Sequence, residues 1–172
     1  MSQSPGFHHL PVLYRETLEA LAINPGGIYA DGTIGGGGHS AGILNQLNDQ
    51  GKLYGIDRDA DALKAARELL GEDARLTLIQ GNFHDVPELL EGMALDGALL
   101  DLGVSSWQLD SPERGFSYHG EGPLDMRMDT SQSMTAADWL NREEEDNIRD
   151  ALFRYADERW AARIAKIIAE TR

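Results

Sequence analysis

The sequence contains no cysteine, which excludes a disulfide scaffold, a thiol nucleophile, a zinc–thiolate site and an iron–sulfur cluster. It has only 6 prolines and is 41% hydrophobic, so it lacks the composition of a disordered chain. No apolar run approaches the roughly 20 residues that a membrane-spanning helix needs. The first six residues also lack the basic patch and apolar core of a signal peptide. We therefore expect a cytoplasmic protein without membrane partners, made of one domain or of one domain and part of a second.

Basic residues are outnumbered, with 15 Lys and Arg against 29 Asp and Glu and a net charge of −14. This balance argues against generic nucleic-acid binding through a basic surface. Residues 154–172 reverse the sign, because they hold Arg154, Arg159, Arg163, Lys166 and Arg172 against Asp157, Glu158 and Glu170. A locally basic helix on an acidic body could contact a polyanion, although a solvated helix face explains the charge equally well.

Short apolar runs alternate with helical patterns over the first hundred residues, as in a parallel α/β sheet. The pattern predicts strands at residues 27–31, 52–57, 75–80 and 97–102. It predicts helices at residues 14–21 and 60–70, and another that starts near His39 and turns Ile43, Leu44 and Leu47 inward. Asp59 or Asp61 is expected in the first turn of the helix at 60–70, and Gly71 at its end.

The pattern changes after residue 102. Residues 103–134 show no periodicity, and two helices are predicted beyond them, at 136–153 and 158–170. We place a domain boundary near residue 110. Four strands are few for a doubly wound sheet, so we expect an N-terminal portion of a longer protein. A shortened sheet would expose an edge, which predicts a homodimer or aggregation.

The segment DGTIGGGGH, residues 31–39, joins the first strand to a helix. Glycines let the backbone approach a ligand closely and adopt positive φ, and a helix N-terminus favours an anionic group such as a phosphate or a carboxylate. No Lys-Ser/Thr pair follows, so the spacing is not a P-loop, and it is not a regular G-x-G-x-x-G. A flexible turn would not need four consecutive glycines, which favours ligand binding.

Polar residues follow the other strands. Asp57 ends the second strand about twenty residues after the glycines, where an acid accepts hydrogen bonds from ribose hydroxyls, although a helix N-cap is the alternative. Asn82 and Phe83 follow the third strand and could clamp an adenine, although Phe83 could also be a core residue. Asp101 ends the fourth strand, where it could hold a cofactor or accept a hydrogen bond from a substrate amine. No metal-ligand constellation and no Ser-His-Asp nucleophile arrangement is visible.

These features together resemble the Rossmann-like methyltransferases. The sequence is further similar to the family of small-subunit ribosomal RNA methyltransferase H, also called MraW. The segments that carry this resemblance are His9-x-Pro11-Val12-Leu13, the turn at 31–39, DLGVSSWQLD at 101–110, ERGFS at 113–117, GPLDMRMD at 122–129, Glu158-Arg159 and Arg163-Ile164-Ala165. The resemblance covers essentially the whole chain, and its most specific part is the string from Asp101 to Asp129.

The resemblance implies a class I methyltransferase sheet with an inserted helical domain, and a chain that ends within that insert. Residues 1–109 would then bind S-adenosylmethionine, and residues 110–172 would begin the substrate-binding insert. The family methylates N4 of a cytidine in the decoding region of small-subunit ribosomal RNA. By resemblance, the cofactor-binding residues are Gly37, Gly38, His39, Asp57, Phe83, Asp101 and Gln108.

An exocyclic amine is a poor nucleophile, so the enzyme must orient it and accept its N–H hydrogen bond. The Asp/Asn-Pro-Pro-aromatic element of many amino-methyltransferases is absent here, because Leu102 and Gly103 follow Asp101. Asp101 is the candidate catalytic acceptor, although a cofactor role competes for the same residue. The target base must also be unstacked from its neighbours. Candidates for binding RNA phosphates are Arg114, Arg127, Arg159 and Arg163, each of which could equally serve an internal ion pair.

Two alternatives remain from the sequence. The chain could be a non-catalytic nucleoside-binding or RNA-binding module, because it lacks part of a complete sheet. A NAD-dependent oxidoreductase is disfavoured by the glycine spacing and by the absence of a recognisable substrate domain.

Overall fold

The computed structural model describes residues 11–172, so His9 and the first six residues lie outside the described part. The chain divides after Gly103 into two compact units. The first contains a parallel sheet of β1 (Ile28–Asp31), β2 (Lys52–Asp57), β3 (Leu76–Gln80) and β4 (Gly97–Leu99), in the order β3-β2-β1-β4. This order is the first part of the Rossmann arrangement. The predicted Rossmann-like α/β fold is confirmed.

The first unit also contains α1 (Tyr14–Leu21), α2 (Gly38–Gln46), α3 (Ala60–Leu70) and α4 (Val86–Leu89). Tyr29 and Leu53 are neighbours in the β1–β2 register, and they pack with the predicted inward residues Ile43, Leu44 and Leu47. On the alternate strand positions, Ala30 and Ile56 pack against Leu90. The strands bury residues toward both faces, as parallel sheets do.

Both ends of α3 follow the expected chemistry. The Asp59 side chain accepts a hydrogen bond from the Asp61 backbone N–H, so Asp59 is the N-cap. Gly71 terminates the helix with a φ of 68°, a conformation that a residue without Cβ adopts at little cost. The predicted bounds of α1, β2 and α3 are confirmed.

The second unit contains α5 (Ser106–Asp110), α6 (Ala136–Arg142), α7 (Glu145–Ala156) and α8 (Ala161–Thr171). The helices α7 and α8 pack against each other, with Ile148, Ala161 and Ala165 buried. The long segment between α5 and α6 has little regular structure beyond a 3-10 turn at Pro112–Arg114. No helix within residues 11–172 is both long enough and apolar enough to cross a bilayer.

The single helix predicted at 136–153 is wrong, because the chain becomes extended at Glu143 and Glu144. Residues 143–145 are three consecutive acids. Their negative charge is unfavourable at the C-terminal end of a helix dipole and favourable at an N-terminal end, so one helix ends here and the next begins. Glu143 also accepts hydrogen bonds from the Glu144 backbone and the Asn147 amide, which competes with helical continuation. The last helix begins at Ala161 rather than at 158, because Glu158 accepts the Trp160 N–H in a turn.

The predicted fourth strand is too long. Pairing with β1 stops at Leu99, because the Leu99 carbonyl accepts the N–H of Gly32, which already belongs to the turn after β1. Two short elements were not predicted, the 3-10 turn Phe83–Asp85 and α4. The assignment of residues 1–109 and 110–172 to cofactor and substrate binding stays a prediction.

Candidate functional site

The glycine-rich turn lies at the carboxyl edge of the sheet and is bound to both strands that flank β1. The Gly32 N–H donates to the Leu99 carbonyl of β4 at 2.9 Å, and the Ile34 N–H donates to the Ile56 carbonyl of β2 at 3.1 Å. These bonds continue the pattern of the sheet into the turn. The turn is therefore fixed to the strands on either side of β1 by backbone hydrogen bonds.

Two glycines in the turn are needed for their backbone conformation. Gly35 and Gly37 have φ of 51° and 86°, in the left-handed region that favours glycine. A Cβ on Gly37 would also lie 3.2 Å from the Leu70 side chain. By contrast, a Cβ on Gly36 would meet nothing within 4 Å and would point into open space. The backbone of the turn thus requires glycine at positions 35 and 37, whereas position 36 has space for a side chain.

Asp31 lies beneath the turn, with 1% of its surface exposed. Its carboxylate accepts the Ser40 hydroxyl at 2.7 Å and the Thr33 N–H at 3.2 Å. Burial raises the pKa of Asp31, and the Ser40 hydrogen bond partly opposes that rise. Asp31 therefore joins the end of β1 to the first turn of α2 and has a supporting role rather than a ligand-facing one.

Asp57 joins the turn to the end of β2. One of its carboxylate oxygens accepts the Gly35 N–H at 3.0 Å, and the other accepts the Asp59 N–H at 3.0 Å. The residue is half-buried. Each carboxylate oxygen has two lone pairs, which leaves acceptor capacity for ribose hydroxyls.

His39 and Asp101 form the opposite side of the site. The Nδ1 atom of His39 lies 3.8 Å from an Asp101 carboxylate oxygen, and the Asp101 side chain is 55% exposed. The Asp101 backbone N–H donates to the Thr33 hydroxyl at 2.6 Å, which fixes this residue beside the turn. Tyr14 stacks on the His39 ring with centroids 5.9 Å apart. The Nε2 atom of His39 is buried and has no hydrogen-bond partner among the described residues.

Phe83 also lies beside the turn, since a Cβ on Gly32 would stand 2.8 Å from the Cβ of Phe83. The residue is 39% exposed, so an aromatic surface remains available next to the glycines. Asn82 uses its side-chain oxygen to accept the His84 N–H at 3.1 Å.

Most of the predicted cofactor residues therefore lie together. Those at the carboxyl edge of the sheet in the first unit are Gly37, Gly38, His39, Asp57, Phe83 and Asp101. Gln108 belongs to the second unit, where its side-chain oxygen accepts the Ser105 N–H at 2.9 Å in a capping box. It is 5% exposed, and its cofactor role stays a prediction.

The four arginines proposed for RNA fall into two groups. Arg114 is 5% exposed, donates to the Arg127 and Met128 carbonyls at 3.0 Å, and lies over the Trp107 ring. Arg127 pairs with Asp125, and this pairing lowers the pKa of Asp125. The structure thus gives both an internal role. Arg159 and Arg163 are exposed and form no ion pair with any residue between 11 and 172.

Three supporting residues were missed as individuals by the sequence analysis: Thr33, Ser40 and Tyr14. Thr33 and Ser40 lie within or next to the glycine motif, and hydroxyl residues there are a signal that such a turn is hydrogen-bonded internally. The contact of Tyr14 with His39 joins elements distant in sequence, so no local pattern could reveal it.

Comparison with known proteins agrees with this geometry. The chain is 49% identical over 170 residues to a ribosomal RNA small subunit methyltransferase H of Symbiobacterium thermophilum, covering 96% of this chain and 54% of that protein. It is 49% identical over 176 residues to that of Alteromonas mediterranea, covering 100% and 56%. It is 50% identical over 171 residues to that of Heliobacterium mobile, covering 96% and 55%.

The chain spans about half the length of these curated relatives. A sequence model described as the MraW methylase family matches residues 6–172, which is nearly all of the chain. The resemblance drawn from the motifs is confirmed: the chain belongs to the MraW methylase family.

Proposed function

We propose that this chain provides the S-adenosylmethionine-binding part of an enzyme that methylates N4 of a cytidine in small-subunit ribosomal RNA. The observation that carries the proposal is the convergence of Asp57, the Gly35–Gly37 backbone, His39 and Asp101 at one edge of the sheet. Ligands of open α/β sheets bind at this edge. The names of the relatives supply the RNA substrate.

The residues present fit the cofactor by their chemistry. The Asp57 carboxylate can accept the ribose hydroxyls, and the exposed side of Phe83 can cover the adenine. The orphaned Nε2 of buried His39 is a polar group that a ligand can satisfy. Gly37 and Gly38 would border the methionine end, where a carboxylate meets the N-terminus of α2. When bound, S-adenosylmethionine supplies an electrophilic methyl group.

Asp101 is the residue that we propose to act on the substrate amine. Its carboxylate is more than half exposed, while its backbone is fixed by Thr33. A carboxylate so placed can accept an N–H hydrogen bond from the amine as the nitrogen gains positive charge, and so orient its lone pair. The Nδ1 atom of buried His39 lies 3.8 Å from this carboxylate and borders it on one side.

Titration calorimetry with S-adenosylmethionine tests the cofactor site. Wild-type chain should bind, and Asp57→Ala should bind about 100-fold more weakly, because charge-assisted hydrogen bonds to two hydroxyls are lost. Asp49→Ala removes an exposed acid elsewhere in the same unit and should bind as wild type does. Absence of binding by folded wild-type chain would refute the cofactor assignment, and tight binding of NAD instead would favour an oxidoreductase.

Methyl transfer is tested separately, with labelled S-adenosylmethionine and small ribosomal subunits that lack the modification. Incorporation into N4 of cytidine, abolished in Asp101→Ala, supports the full proposal. Cofactor binding without incorporation would instead support the alternative of a binding module, because the chain covers about half of its relatives.

A further inference from the structure

A shallow groove of about 260 Å³ lies between α7 and the start of α8 in the second unit. Its lining comprises Arg149, Asp150, Phe153, Arg159, Ala161 and Ala162. Of the two alanines, Ala161 is buried at the start of α8, and Ala162 is exposed. Phe153 is 64% exposed and forms its aromatic wall. An aromatic ring with this much exposure contributes little to the core, and its flat apolar face is available to a ligand.

The charges around the groove are unusual for a protein with a net charge of −14. The acid in the lining, Asp150, is neutralised by Arg149 at 2.8 Å and by Arg154 at 3.7 Å. Arg159 is exposed and forms no ion pair with any residue in the described range 11–172. The groove therefore presents a guanidinium that is not committed to an internal acid, next to an aromatic face.

We propose that this groove binds single-stranded RNA, with a base stacked on Phe153 and a phosphate bound by Arg159. The proposal rests on the proposed function, which supplies the RNA, and names a surface on which that RNA would bind. Stacking on an aromatic side chain tolerates every base, and an uncommitted arginine matches a phosphate. The uncommitted guanidinium favours an anionic ligand over an uncharged peptide, and the exposed flat ring favours one that carries bases able to stack.

The test is fluorescence anisotropy of the full chain with short labelled oligouridine and oligoadenosine. Phe153→Ala and Arg159→Gln should each weaken binding about fivefold to tenfold. The two variants should differ in their salt dependence. Arg159→Gln should lower the slope of log K against log salt by about 0.7, because one phosphate contact is lost. Phe153→Ala should leave the slope unchanged, because stacking releases no counterion.

Matched controls separate this surface from general effects. Tyr155→Ala removes an aromatic residue that is 87% exposed and does not line the groove. Arg142→Gln removes an arginine with a side chain 72% exposed on α6. Both should bind RNA as wild type does, and circular dichroism should show all four variants folded.

The proposal is overturned if wild-type chain binds no single-stranded RNA, or if the groove variants bind as tightly as the controls. It is also overturned if Phe153→Ala and Arg159→Gln change the salt slope equally. Calorimetry with S-adenosylmethionine on the same samples keeps the two proposals apart. If S-adenosylmethionine binds normally and the groove variants do not change RNA binding, the RNA surface is refuted and the cofactor site is not.

Discussion

The two units of the chain hold their polar groups in different ways. In the first, Asp31 and Asp57 end two parallel strands and Asp101 lies just beyond a third, so the geometry of the sheet brings them to one edge. In the second, the segment between α5 and α6 has little regular pairing and is organised around buried Arg114 and the Asp125–Arg127 pair. The order of the strands thus brings the polar residues of the first unit together. In the second unit, individual side-chain hydrogen bonds and ion pairs do so.

This difference predicts different sensitivities to mutation. A site built on strand ends distributes its support over many backbone hydrogen bonds, so a single side chain there mainly affects the ligand. A loop that depends on one buried guanidinium loses its organisation when that group is removed.

The largest effect is expected at Arg114. Arg114→Met keeps an apolar stem but removes the donors to the Arg127 and Met128 carbonyls, which should lower the free energy of unfolding of the second unit by about 3 kcal/mol. Urea unfolding followed by tryptophan fluorescence measures this unit alone, since Trp107, Trp139 and Trp160 all belong to it.

Two controls accompany the Arg114 variant. Arg142→Met, at an exposed position, should change unfolding little. Hydrogen exchange of the β2 amides should be the same in wild type and Arg114→Met. If β2 lost protection to the same extent as the second unit, the contrast between the units would be wrong.

An intermediate effect is expected in the glycine turn. Gly37→Ala places a Cβ at φ 86° and 3.2 Å from Leu70, which should destabilise the first unit by about 1–2 kcal/mol and weaken cofactor binding. Gly36→Ala adds the same methyl group to open space and is the matched control for stability. Urea unfolding followed by circular dichroism compares them, and equal losses would contradict the role assigned to Gly37.

The smallest effect concerns Asp73 and Arg75, which join the start of β3 to the end of α2. Arg75 donates to both carboxylate oxygens of Asp73 and to the Leu44 and Leu47 carbonyls. The Arg75 hydrogen bonds lower the pKa of Asp73 from 3.8 to about 2. Because the folded pKa is depressed, the stabilisation is present above pH 4 and is lost as the pH falls toward 2.

Comparison of wild type with Asp73→Asn isolates this contribution. The difference in unfolding free energy should be about 1 kcal/mol at pH 6, since the pair is partly solvated, and should shrink as the pH falls through 2. Urea unfolding at several pH values measures it. A difference that stays constant between pH 6 and pH 2 would show that the ion pair does not stabilise the first unit through its charge.

Much of the first unit could be predicted from the sequence because its signals are local and periodic. A short apolar run predicted β2, and Asp59 and Gly71 marked the ends of α3. The carboxyl-end rule for parallel strands then predicted that Asp57 and Asp101 would lie near the glycines. The contacts of Tyr14 with His39 and of Thr33 with Asp101 depend on tertiary packing, which periodicity does not encode.

The second unit was harder to predict for a physical reason. Arginine is usually found at the protein surface, so the sequence gives no sign that Arg114 is buried. Its burial becomes visible only in the structure, where it donates hydrogen bonds to backbone carbonyls. The break at Glu143 and Glu144 also depends on local electrostatics and side-chain bonds rather than on apolar spacing. A residue type that serves both surface and interior cannot be assigned from sequence alone.

Both oxygens of Asp57 already receive a backbone N–H, from Gly35 and Asp59. The Asp57 carboxylate is therefore already hydrogen-bonded within the protein. A nucleoside that binds there adds hydrogen bonds to a group that already has partners. Selectivity for ribose over deoxyribose should accordingly be mild, because a missing hydroxyl forfeits one contact without leaving the acid stranded. The backbone hydrogen bonds to Asp57 that hold the glycine turn therefore also make the site tolerant of a ligand that lacks one ribose hydroxyl.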